Sequence, residues 1–254
     1  MRRSATHVAV VTADIIESSR YSQQDRRRLD GILRRGFGEV ERRFQDAIHT
    51  RLAFRITAGD EFQFVVSAIP RAFSVLMYLR ALVAAGGLLP PIRFRASIGV
   101  GEMSVPKRAS PYEEDGAAFA RSRHGLEGMA KSGSRVRWTT LTTGAPEVDS
   151  TADVVLCLVD HMLQSWTVPQ WEAIRWSLLG LKREEIARRL RRPSTSRSGR
   201  SPDRGRARIA HQNVTKRLLA AGWPYFQVAD SFLLRLLEEA ERDRQREPKR
   251  GGAP

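Results

Sequence analysis

Apolar positions along the first half of the chain alternate between two periods. Residues 7–13, His-Val-Ala-Val-Val-Thr-Ala, with the apolar run Val8 to Val11, predict a buried strand with Asp14 at its C-terminal end. Over residues 24–48, Leu29, Leu33, Val40, Phe44 and Ile48 recur at helical spacing. Residues 51–57 alternate through Leu52, Phe54 and Ile56, and 62–66 form a second strand. The turn signal Ala58-Gly59-Asp60 between them makes a hairpin with Asp60 near its tip. A helix over about 70–84 starts at a proline, where helices accept one. Strand 93–100, polar stretch 107–115, helix 116–131 and strand 135–141 follow.

The predicted order is βα-ββ-αβ-αβ. A hairpin inside it breaks the plain alternation of a doubly wound sheet. It matches a ferredoxin-like or palm layout, a mixed sheet with helices on one face. The fold class is therefore α/β, more strictly α+β, and an all-α unit follows. An apolar helix over 152–163 links the two. Thr167-Val168-Pro169-Gln170 is a capping box. Helical stripes continue through Trp171, Ile174 and Leu178, then 184–190, then Ile209, Val214, Leu218 and Leu219, then 226–241. Gly180 and Gly222-Trp223-Pro224 punctuate them. The expected domains are 1–149, a palm; 150–166, a linker helix; 167–241, a helix-turn-helix domain with a basic insert at 193–206; and 242–254, a tail that frays.

Charge sharpens the picture. The chain of 254 residues carries 43 Lys and Arg against 28 acids, a net +15. Residues 182–217 hold thirteen basic residues and three acids, a local excess of +10. Such a block points first to phosphate backbones. The plainer alternative, a solvated arm with no partner, is disfavoured because helical patterns flank the block. No apolar run approaches a membrane span. Cys157 is the only cysteine, which excludes a disulfide framework and a Cys-rich zinc site. A cytoplasmic location without membrane contact is expected.

Two carboxylates carry the candidate chemistry of the palm. Asp14 stands in Ala13-Asp14-Ile15-Ile16-Glu17-Ser18, and Asp60 in Ala58-Gly59-Asp60-Glu61-Phe62. The layout sets them across one edge of the sheet. Hard cations such as Mg²⁺ take one or two carboxylates plus substrate phosphates. Taken singly, each Asp is an ordinary turn residue. Together they point to a metal–nucleotide site: Asp14 and Asp60 for the metal, and Asp14, Ile15, Ile16, Glu17, Gly59, Asp60 and Glu61 for the nucleotide.

These segments, with Arg95-Ala96-Ser97-Ile98-Gly99-Val100-Gly101 and Asp115-Gly116-Ala117-Ala118-Phe119, resemble the SatD-like family, a class III nucleotide cyclase-like domain followed by a helix-turn-helix. The resemblance spans roughly residues 5–142. Gly59-Asp60-Glu61-Phe62 also looks like the diguanylate cyclase signature, with Ala58 in place of its first glycine. The resemblance implies a dimer and two metal-binding Asp residues. Active class III cyclases further carry an Asn and, four residues on, a transition-state Arg. Here those positions read Ala120 and His124, while Arg121 and Arg123 would point elsewhere. Loss of a donor at developing charge typically costs ~10²–10³ in rate.

Residues 170–223 resemble region 4 of sigma factors. In that pattern Ile186, Ala187 and Leu190 pack inward, and Val214 and Leu218 hold the recognition helix. His211, Gln212, Thr215 and Lys216 face outward to bases, with Asn213 at the edge. Arg189, Arg208 and Arg217 suit phosphates, and Arg197, Arg200, Arg204 and Arg206 of the insert could follow the backbone or a minor groove. The expected function is a DNA-binding transcriptional regulator. It would act on double-stranded DNA as a homodimer, its degenerate cyclase-like domain sensing a nucleotide or dimerising. The alternatives are an active metal-dependent cyclase or nucleotidyl transferase with accessory DNA binding, and a ligand-free interaction module.

Overall fold

In the computed structural model the described residues are 6–49, 54–58, 60–88, 91–103, 116–131, 137–190 and 204–246, with 54–58 and 204–210 described as backbone. Strands β1 (Thr6–Ile15), β2 (Phe54–Ala58), β3 (Glu61–Val66), β4 (Phe94–Met103) and β5 (Thr139–Thr142) form one sheet in the order β2-β3-β1-β4-β5. All pairs are antiparallel except β4–β5, which is parallel, so the sheet is mixed. Helices α1 (Gln23–Arg43), α2 (Ala72–Ala84) and α3 (Ala117–Lys131) complete the palm. Helices α4 (Pro146–Ser165), α5 (Val168–Ser177), α6 (Arg183–Leu190), α7 (Arg204–Ala220) and α8 (Trp223–Arg246) follow.

Helices cover both faces of the sheet, not one. The consecutive apolar residues Val8 to Val11 of β1 explain why. Ala9, Val11, Ala13 and Ile15 enter the core beneath α1 and α2. The alternate residues Val8 and Val10 join Val65, Met103, Ala118 and Phe119 on the opposite face, beneath α3. A strand apolar on both sides requires cover on both sides. Glycines let α3 lie close: a Cβ at Gly99 would stand 2.3 Å from the Ala118 carbonyl oxygen and from the Ser122 nitrogen. A buried polar line crosses the contact. Gln63 Nε2 donates to Thr12 Oγ1 at 2.8 Å, and Thr12 and Ser122 share a hydroxyl–hydroxyl bond of 2.9 Å.

α2 is apolar around its whole circumference, and residues 72–84 are buried without a break apart from half-buried Ser74. A helix with no polar face needs a second layer. α1 and the sheet cover one side, α5 and α8 the other, and one continuous core joins palm and C-terminal helices. Phe73 stacks on Phe226, with ring centres 6.0 Å apart. Arg80 of α2 is the buried cation of this core. It donates to the carbonyls of Phe94 (2.7 Å) and Trp138 (2.8 Å) and stacks on the Phe94 ring. Burial pulls its pKa down to about 10. Asp160 of α4 accepts from the backbone N–H groups of Trp138 and Thr139, fastening α4 along β5. α4 starts at Pro146, earlier than the expected linker helix, and the expected boundary at 149–150 falls inside it. α7 and α8 are also longer than expected. α7 starts at Arg204, within the stretch expected to be a loop, and α8 runs on to Arg246, into the expected tail.

Two stability outcomes follow. Thr12→Val keeps the shape but leaves the Gln63 donor unpaired; chemical denaturation should show a loss of about 1–3 kcal/mol, and Thr12→Ser should recover most of it. Asp230, where α8 meets α2, has its pKa raised by burial, partly offset by the hydrogen bond from Ser74. Its folded-state pKa exceeds the unfolded one, so the folded state binds more protons between the two values. Stability should therefore fall as pH rises from about 4 through the folded pKa. Asp230→Asn should flatten that part of the pH profile; an unchanged slope would remove Asp230 as its source.

Candidate functional site

The carboxylate corner is set by strand register. Asp14 pairs across the sheet with Glu61 of β3 on one side and with Arg95 of β4 on the other. Side chains directly opposite on antiparallel strands share a face. The hairpin tip is tied to the same corner, since the Ile15 N–H donates to the Asp60 carbonyl at 3.2 Å. Asp14 and Asp60 thus stand close enough for the charge of one to act on the other.

Arg95 dominates this corner. Its Nη2 makes an ion-paired hydrogen bond to Asp14 Oδ2, both side chains being about three-quarters buried. Burial pushes the Asp14 pKa up, Arg95 pulls it back, and Asp60 raises it further. Arg95 Nε is buried without a partner among the described residues. A fixed guanidinium therefore neutralises Asp14 from within the chain.

The other nucleotide candidates scatter. Ile15 is in the core and Ile16 packs against it. Glu17 has a left-handed backbone, φ 58°, and its carboxylate pairs with Arg20 at 2.9 Å. Glu61 is half-buried on the rung of Asp14. Gly59 lies outside the described residues. On α3, Ala120 and His124 are exposed and line a shallow hollow with Arg121 and Thr142, beside β5. Arg121 donates to the Val100 carbonyl, toward the far end of β4 from Arg95. Arg123 is exposed. No guanidinium of α3 is bonded to either carboxylate among the described residues.

A dication fits this corner poorly. Mg²⁺ needs near-octahedral oxygen ligation, yet one Asp14 oxygen is engaged by a cation. Among the described residues no three His, Cys, Asp or Glu side chains converge. Sequence reasoning placed Arg95 in a strand motif but missed its role, which depends on the cross-strand register.

The second candidate surface lies on α5–α7. Trp171, Ala173, Ile174, Ile186, Ala187, Val214 and Leu218 are buried together, and Leu190 is half-buried against them. The small Ala187 lets α6 and α7 approach. Gln212, Asn213 and Lys216 are exposed on α7, and His211, Thr215 and Arg217 are half-exposed. Thr215 Oγ1 donates to the His211 carbonyl, and His211 Nε2 lies 3.3 Å from a Glu184 oxygen of α6. Arg189 is exposed and stacks over Trp176 at 4.6 Å, sharing that ring with Arg175. Arg204, Arg206 and Arg208 lie on the helical backbone of the first turns of α7. Arg197 and Arg200 fall outside the described residues.

No family model matches the chain, and no curated protein matches it. Among solved structures it is similar to the crystal structure of the guanylyl cyclase Cya2. The match has 14% identity and a TM-score of 0.34, over 50% of this chain and 73% of that one. No described helix is long and apolar enough to cross a membrane.

If Arg95 occupies the cation's place, removing it should create a metal site. Two charges 4 Å apart interact by about 4 kcal/mol at an effective dielectric of 20. Arg95→Ala should therefore bind Mn²⁺ at least about tenfold more tightly than the parent, a step of about 1.4 kcal/mol. Adding Asp14→Asn should abolish the gain. Equal Mn²⁺ affinity by calorimetry with and without Arg95 would contradict the competition.

Proposed function

We propose that this protein is a DNA-binding transcriptional regulator. The observation that carries the reading is the α5–α7 unit. It buries Ile186, Ala187, Val214 and Leu218 and leaves Gln212, Asn213 and Lys216 exposed on one helix, within a segment of net charge +10. That is the division a helix-turn-helix makes between packing and base readout. Gln and Asn suit adenine, Lys suits guanine, and Arg189 with Arg217 suits phosphates. Arg197, Arg200, Arg204, Arg206 and Arg208 add charge to the same segment.

In this reading the palm is a platform that senses a nucleotide or dimerises, without turnover. A Mg²⁺ at Asp14 and Asp60 would have to displace the Arg95 guanidinium from Asp14. The Arg95 pairing and the place of His124 beside Thr142 weigh against an active cyclase. A homodimer suits paired half-sites. Its support is the exposed apolar side chains Val154 and Leu158 on α4 and Tyr225, Val228 and Phe232 on α8, two helices in contact. A cytoplasmic setting accords with the single free cysteine, Cys157.

The test is binding to duplex DNA. Affinity should fall steeply with salt, about 0.9 in log–log slope per neutralised phosphate. Gln212→Ala should relax sequence preference, whereas Arg189→Ala should weaken binding to all sequences alike. Absence of binding at low salt would refute the regulator reading. Incubation with each NTP and Mg²⁺ or Mn²⁺ should yield no cyclic product at ordinary enzymatic rates, ~1 s⁻¹ or more.

A further inference from the structure

Helix α1 carries seven arginines against four acids. Its buried stripe is Leu29, Ile32, Leu33, Gly36, Phe37 and Val40. At 3.6 residues per turn, Arg27, Arg34, Arg35 and Arg42 fall on the opposite side, with Gly31 and Gly38 between them. All four arginines are exposed. Arg27, Arg34 and Arg35 have no hydrogen bond or ion pair to any described residue. Arg42 reaches Glu39 only at 4.0 Å, and Glu39 is already held by Arg175 at 2.9 Å and by the Tyr78 hydroxyl at 2.8 Å. A Cβ at Gly38 would meet nothing within 4 Å, whereas one at Gly31 would meet Arg35 Nη1 at 3.3 Å, so the surface is open at Gly38 and Arg35 lies over Gly31. Arg42 Nε also donates to the Gly38 carbonyl at 3.0 Å, so Arg27, Arg34 and Arg35 are the three like charges on this face that are left for an external anion.

The ridge is physically joined to the helix-turn-helix unit. Glu39 of α1 pairs with Arg175 of α5, Arg175 lies over Trp176, and Arg189 of α6 lies over the same ring. The chain of contacts leads from α1 to an exposed cation of α6 without a gap.

We infer that the α1 arginine ridge is a second DNA-contacting surface, which extends the footprint of the α5–α7 unit onto the palm by gripping the phosphate backbone. The inference rests on the DNA-binding reading of α5–α7. The partner is a polyanion of regular charge. Arg27 and Arg34 lie seven residues, about 10.5 Å, apart along the helix. No apolar side chain stands among them, whereas a membrane-seated helix needs an apolar face toward lipid and a protein interface needs aromatic or aliphatic anchors. The apolar face of α1 is spent on the core. The contacts are to phosphates and carry no sequence information.

The test compares three forms of the full chain by fluorescence anisotropy on a 30-bp duplex across a salt series. These are the parent, the triple variant Arg27→Gln, Arg34→Gln, Arg35→Gln, and a charge-matched control, Arg123→Gln, Arg235→Gln, Arg242→Gln, on α3 and α8. Circular dichroism confirms that each is folded. Loss of three phosphate contacts should make the log–log salt slope of the α1 variant shallower by about 2–3, with sequence preference retained. The control should keep the parent slope. An α1 variant with the parent slope, or a control that falls equally, overturns the ridge while leaving the α5–α7 reading intact. A parent that does not bind DNA overturns both. Loss of binding to phosphatidylserine vesicles with an unchanged DNA slope would assign the ridge to lipid and also overturn the inference.

Discussion

The complete burial of α2 is the constraint on which the rest of the molecule depends. A helix apolar on every side, from Ala72 to Ala84, is stable only if enclosed. The sheet and α1 supply one half of the enclosure, α5 and α8 the other. The C-terminal helices are therefore packed on the palm, not merely tethered to it. Arg80 shows how demanding the enclosure is. Its guanidinium is desolvated and held by two carbonyls and an aromatic face, and Asp160 serves the adjoining backbone N–H groups of β5. Such an arrangement transmits strain, because a close-packed interior does not deform continuously. Any ligand that shifts α1 or the sheet would press on α5 through α2, a physical route by which the palm could influence the α5–α7 surface.

At the carboxylate corner the arrangement argues against turnover. Phosphoryl-transfer chemistry needs preorganised positive charge where negative charge develops. The positive charge present, Arg95, sits on the ground-state carboxylate and not on α3. Arg121, the half-exposed arginine of α3, is bonded to the Val100 carbonyl. The corner is thus internally neutralised, with Asp60 as the neighbouring charge.

The element order was legible because each period was long enough to be distinct, and because Gly, Pro and a capping box marked the ends. The Thr167–Gln170 box is present as read. Cover on both sheet faces was written into the apolar run Val8 to Val11 of β1, but a single-face layout absorbed it too readily. The Arg95–Asp14 pair was not legible: residues 81 apart in sequence meet only through a cross-strand register, which one sequence does not specify. The α1 ridge was visible as arginines at helical spacing, yet exposed charge on a helix ordinarily means only solvation. Its meaning emerged when the Glu39–Arg175 pair tied it to α5. The ends of α7 and α8 were misjudged because Ser, Gly and Pro in 193–206 and Gly and Pro in 242–254 read as loop and tail, although the arginines at the helix ends favour helix.

The central claim is that the α5–α7 face meets DNA while the carboxylate corner does not. Hydrogen–deuterium exchange of the full chain with and without duplex DNA tests it directly. The account predicts new protection over residues 182–189 and 211–217, with exchange around residues 12–16 and 60–63 unchanged. Protection confined to the carboxylate corner, or no protection on α6 and α7 at saturating DNA, would contradict it.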